Sequence, residues 1–176
     1  MNKKTIIFIL IVLGILFLNI TMNTVYAQKS LDDILYGDFA EIDNFGYIFV
    51  KIQGENSSLI GLDSYELTNY AKLKYKNNFS GIDYREITAD EYVIFQEEEK
   101  AKKTGSIWFR IWTAGEGYPI VYYIECKAGN YQNYDIWNDE VLGFCDEKEI
   151  NQIARTEITR MIENFAITFF KVRGEI

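Results

Sequence analysis

The chain of 176 residues contains no histidine, and that absence excludes more chemistry than any single residue present suggests. Histidine is the commonest general base and zinc ligand, so Ser-His-Asp and Cys-His devices are ruled out. Cys126 and Cys145, the only cysteines, cannot hold zinc alone and form no CxxC redox motif. Pro119 is the single proline, and no linker, repeat or low-complexity tract divides residues 28–176. Gly115-Glu116-Gly117 lacks the third glycine and the following helix of a phosphate loop, and reads as a hairpin turn. Basic residues are also scarce, 18 against 26 acidic for a net charge of −8. A surface of that sign repels phosphate backbones and anionic headgroups, which excludes nucleic acid and electrostatic membrane attachment. Neither a cofactor nor a metal is expected.

What is present begins with an export signal. Lys3 and Lys4 precede an apolar run over 6–20, and Val25-Tyr26-Ala27 supplies small residues for a processing peptidase. That order reads as a cleavable secretory signal peptide over 1–27. The run is shorter than the roughly 20 residues of a membrane-spanning helix, and no cysteine follows it for lipid attachment. Removing it takes away two lysines and no acid, leaving one acidic domain over 28–176 that is periplasmic or extracellular, without stable membrane insertion.

In the mature part, residues 47–53 alternate as a strand, with Ile48, Val50 and Ile52 on one face and Tyr47, Phe49 and Lys51 on the other. Asp63 and Glu66 form a capping box for a helix presenting Leu67, Tyr70, Ala71 and Lys74 on one face. A short strand is expected over 82–87. Thr88 and Glu91 suggest a second capping box and a helix over 89–103, with Glu98–Lys102 and Glu99–Lys103 pairs. A strand at 92–95 followed by a charged loop competes with it. Residues 107–113 and 120–127 read as a hairpin, and 136–144 as a third strand beside it. Both faces of the hairpin are rich in apolar residues, so it is expected to be covered on both sides. Asp146 and Glu149 open a long final helix with Ile150, Ile153, Ala154, Ile158, Met161, Ile162, Phe165, Phe169 and Val172 in helical register. The expectation is α+β, an antiparallel sheet covered by helices in the order β-α-β-α-β-β-β-α.

An exported chain meets an oxidising compartment, where a Cys126–Cys145 disulfide would close a loop of about 20 residues. The expected hairpin argues against it, because it sets Cys126 opposite about Trp137 and Cys145 level with Tyr118. Both readings stay open at the level of sequence.

Carboxylates remain available for hydrolysis, and Glu116, Glu125, Asp135, Asp139 and Glu140 are the acids of the aromatic-rich half. Glu125 lies in an otherwise apolar strand. The 130–140 segment lacks the glycine and ligand ladder of a calcium loop. Aromatics form the other constellation. Trp108 and Trp112 flank Arg110 on one strand face and read as core with a stacked arginine at its edge. Tyr118, Tyr131 and Tyr134 fall in expected turns and, with Trp137, are the candidate ligand-binding residues.

The order of residues resembles a group of small exported bacterial proteins with no assigned activity. The match spans about 59–172 and rests on Gly61-Leu62-Asp63, Glu66-Leu67, Gly81-Ile82, the tryptophan hairpin, Leu142-Gly143 and Phe169-Phe170. Arg173-Gly174 departs from that pattern. The resemblance implies an envelope or secreted α+β domain and brings no catalytic residues. The expected function is non-enzymatic binding of an envelope protein or a glycan. Peptidoglycan or other carbohydrate is one alternative, and a carboxylate-dependent hydrolase is another.

Overall fold

Tyr47 and Phe45 both belong to the first strand, yet they point to opposite faces of the sheet, because Gly46 adds one unpaired residue between them. Phe45 pairs with Gly105 and Tyr47 with Ser106, so the register slips at Gly46. A side chain at Gly46 would collide with Ile87 and Thr104, which explains the glycine. Such a bulge resets the alternation of a strand. Here it sends Phe45 into the core while Tyr47 and Phe49 face outward.

The computed structural model describes residues 35–54, 60–87, 98–115 and 119–176. The expected leader over 1–27, the expected second capping box, most of 89–103 and the turn at 116–118 lie outside them. After a 3-10 turn at Gly37–Glu41 come β1 (Asn44–Gln53), α1 (Ser64–Asn78), β2 (Asp83–Tyr84), α2 (Glu98–Lys103), β3 (Thr104–Ala114), β4 (Ile120–Asn130), β5 (Trp137–Cys145) and α3 (Ile150–Val172). The α+β order β-α-β-α-β-β-β-α is therefore the observed one. Of the expected helix over 89–103, the last six residues are helical, with Lys103 bonded to Glu99 at 2.8 Å.

The five strands lie in the order β2-β1-β3-β4-β5. Pairing is antiparallel from β3 to β5, as expected, whereas β1 runs parallel to both β2 and β3. The sheet is thus mixed. The physical reason is α1, which returns the chain to the end where β1 started, so that β2 must run alongside β1 in the same direction.

Helix α1 starts where Asp63 Oδ1 accepts the Glu66 amide at 2.8 Å. Glu66 does not complete the capping box; its carboxylate turns to Arg155 of α3 at 3.4 Å. At the start of α3 the Glu149 carboxylate accepts the Asp146 amide at 3.4 Å, and Asp146 accepts from Lys148 at 3.0 Å. Both long helices pack on one face of the sheet. That face presents Ile48, Val50, Ile107, Phe109, Ile111, Ile124, Cys126 and Ala128, all buried. Leu67, Ala71 and Tyr75 of α1 and Ile158, Met161, Ile162, Phe165 and Phe169 of α3 close over them.

The C-terminus is tied down by Arg173, which stacks on Phe169 at 5.1 Å and donates to the carbonyl of Ile42 at 2.8 Å. The residue that departs from the resembled group thus caps the 3-10 turn. None of the described helices is long and apolar enough to cross a membrane.

Cys126 lies opposite Asp139 and Cys145 opposite Ile120. Asp139 and Cys145 are six positions apart on β5, about 20 Å of strand, against the ~7 Å limit for disulfide α-carbons. Both thiols are free and buried, so the disulfide reading is set aside. The register sits two positions from the expected one because β4 continues to Asn130 before turning. Burial, its largest cause, pushes the Cys126 thiol well above its ordinary range. A reducing agent should leave the melting temperature unchanged, and a thiol dye should reach both cysteines only in denaturant. A reduction-sensitive melting curve would contradict this register.

Candidate functional site: an open aromatic sheet face

Among the described residues, no helix covers the opposite face of the sheet. The expectation of a hairpin covered on both sides is corrected here, and Trp108 and Trp112 are not core. Trp112 is 43% exposed and Trp108 half-buried. One face suffices to bury the sheet because a helix-packed layer on the other already forms the hydrophobic core.

Strand register arranges the open face in rows. Tyr47 lies beside Ser106, Phe49 beside Trp108 and Lys127, and Lys51 beside Arg110, Glu125 and Glu140. Gln53, Trp112, Tyr123 and Leu142 form the next row. The rings are tiled, with Tyr47 and Phe49 centroids 4.6 Å apart and Phe49 stacked at 18° to Trp108 at 6.4 Å.

Tyr131 and Tyr134 reach this face from the β4–β5 loop. Gly129 faces outward, and a β-carbon there would lie 2.0 Å from the Asn133 carbonyl oxygen and 2.7 Å from the Tyr134 backbone. Only glycine lets the loop fold flat over the strand end. Buried Asn130 fixes its shape by accepting the amides of Gln132 and Asn133, each at 2.9 Å. The Tyr131 amide donates to Ala101 of α2 at 3.0 Å. The result is a groove of about 550 Å³ lined by Tyr47, Phe49, Lys51, Gln53, Ser106, Trp108, Arg110, Tyr131 and Tyr134.

The candidate residues divide accordingly. Tyr131 and Tyr134 line the groove, with Tyr134 58% exposed. Trp137 does not; it is buried on the helix face with its ring 5.2 Å from Phe165, because β5 starts there in the inward phase. This corrects its place among the ligand-binding residues. Tyr118 lies outside the described residues. Sequence reasoning missed Tyr47, Phe49, Lys51, Trp108 and Arg110. Their signal was the polar residue interleaved on each aromatic face, Lys51 after Phe49 and Arg110 between the tryptophans.

The acids proposed for hydrolysis are held in pairs. Glu125, 8% exposed, lies 3.3 Å from Arg110 Nη2 and 3.6 Å from Lys127 Nζ. Its Oε2 makes no hydrogen bond, the Arg110 contact being an ion pair alone. Asp135 bonds Lys127 and, as the largest cause, raises the affinity of that lysine for its proton. Asp139 points to the helix face and receives Arg160 at 2.7 Å and Asn164 at 3.1 Å. Glu116 lies outside the described residues. Among those described, no cluster of acids and cysteines is placed to hold a metal ion.

Glu140 accepts the Tyr123 hydroxyl at 2.5 Å, and this bond, more than burial, pushes the phenol up to about 12. Donation to a carboxylate stabilises the neutral phenol, so removing the charge must lower the value. In Glu140→Gln the Tyr123 ring carbon followed by NMR should titrate closer to the ordinary value of about 10. An unshifted midpoint would show that another group holds the proton.

The fold and site define a class: an α+β domain whose described residues form one helix-packed sheet face and leave the other open, aromatic and partly cationic. No protein-family model and no curated protein sequence matches the chain. Among solved structures it is similar to the PelC dodecamer from Paraburkholderia phytofirmans, with 11% identity over 70% of this chain and 86% of that chain, and a TM-score of 0.46. A point variant of the same dodecamer is similar at 12% identity over 70% and 88%, with a TM-score of 0.45. At that distance the similarity speaks to neither ligand nor assembly.

Proposed function

We propose that this is an exported, non-catalytic carbohydrate-binding module whose ligand lies in the groove formed by Tyr47, Phe49, Trp108, Tyr131 and Tyr134. The gathering of those rings along one groove, with Tyr47 and Tyr134 exposed and Phe49 and Trp108 half-buried, supports this reading above all. An aromatic face is electron-rich and attracts the polarised C–H groups of a sugar ring, while its edge-on hydroxyls need hydrogen-bonding groups nearby. Ser106, Gln53, Lys51 and Arg110 supply them from the same strands. A pocket with a large apolar lining and a few placed polar groups is the general form of a small-ligand site.

Titration with peptidoglycan fragments and linear oligosaccharides should shift tryptophan emission to saturation. Emission unchanged across the whole panel would refute the module. Export belongs to the same proposal, and sequencing of the mature protein should begin at Gln28. A start at Met1 would reject it.

A protein partner is the second reading, favoured by Leu142 and Phe144, both 71% exposed on β5 at the sheet edge. Serine at both positions would then abolish capture of an envelope protein and leave sugar binding intact.

A further inference from the structure

The groove opposes the charge of the molecule that carries it. The chain has 26 acids against 18 bases, yet the described residues that line the groove include two cations, Lys51 and Arg110, and no carboxylate. The two are register partners on β1 and β3, so their stems leave the sheet about 5 Å apart. Lys51 is exposed and has no acidic partner among the described residues. Arg110 is fixed in place: it lies over Trp108 at 5.2 Å and contacts Glu125 at 3.3 Å, which engages one edge of a five-donor guanidinium. Its side chain remains 41% exposed. Trp108 thus meets the ligand beside a positioned cation.

We infer that the groove selects carboxylate-bearing saccharides, a uronic-acid unit stacking on Phe49 and Trp108 with its carboxylate between Lys51 and Arg110. The inference rests on the carbohydrate reading and adds the sign of the ligand. A planar carboxylate matches the free edge of the guanidinium, and charge-assisted bonds of this kind are the stronger ones. A neutral sugar would stack equally well and offer Lys51 hydroxyls but no counter-charge. An acidic peptide would satisfy both cations and leave the ring faces unused.

The test is titration of the purified protein at low salt with three probes: oligogalacturonate, its methyl ester and poly-glutamate. The acidic sugar should bind about tenfold tighter than the neutral ester, with the difference shrinking as salt screens the charges. Lys51→Gln should weaken the acidic sugar more than the ester, so that the ratio of the two affinities falls, and no ion pair of Lys51 among the described residues is lost with it. Equal binding of acid and ester would overturn the charge selection and leave the sugar platform standing. Binding of neither sugar would overturn both. Poly-glutamate binding as tightly as oligogalacturonate, or a preference undiminished in Lys51→Gln, would also overturn the inference.

Discussion

Phe165→Ala should destabilise the domain by about 3–5 kcal/mol, the usual cost of deleting a buried phenylalanine. Phe165 is fully buried, and its ring lies 5.2 Å from Phe39, 6.0 Å from Phe45, 5.3 Å from Phe79, 5.2 Å from Trp137 and 5.8 Å from Phe169. These rings come from the 3-10 turn, β1, the end of α1, β5 and α3, so one side chain joins most of the fold. Several neighbours are bulky and held by their own strands or helices. They cannot collapse into the space, and the cost should fall at the upper end. For a domain of this size the melting temperature should drop by roughly 10–17 °C, read by calorimetry or circular dichroism. A drop of only a few degrees would mean that the aromatic cluster repacks, contrary to the packing described.

Trp108→Ala should weaken binding of a saccharide ligand by about 30-fold or more, as truncation of a central aromatic anchor costs about 2 kcal/mol or more. Phe49 stacks on one side of Trp108, while Arg110 and Lys127 lie over its ring at 5.2 and 5.7 Å. Removing it therefore opens the floor of the groove and frees the arginine at the same time. The fold should survive, since the ring lies on the open face and outside the helix-packed core. Trp108→Phe should recover part of the affinity by restoring an apolar face. Calorimetric titration that gives the same affinity for wild type and alanine variant would move the ligand away from this groove.

The two variants mark where the chain was legible and where it was not. α3 could be read residue by residue because its apolar positions recur every three or four residues over 23 positions. Strand alternation in β1 placed Tyr47, Phe49 and Lys51 together on one face before any fold was known. It could not say whether that face met a helix or solvent. Aromatic residues are at home in both settings, and a strand buried on both sides looks much like one with an aromatic open side. Trp137 shows the same ambiguity reversed, since a residue near a turn proved buried through the phase of β5. The direction of β1 was equally hidden, as pairing partners far apart in sequence leave no local signal.

The amino-acid sequence alone determined the element order, the long amphipathic helix and the lack of histidine chemistry, because each follows from composition or from contacts within a few residues. Tertiary structure decided the mixed pairing, the separated thiols and the groove. Those depend on which face both helices chose and on a glycine bulge and a glycine-backed loop that bring distant tyrosines over the same strands.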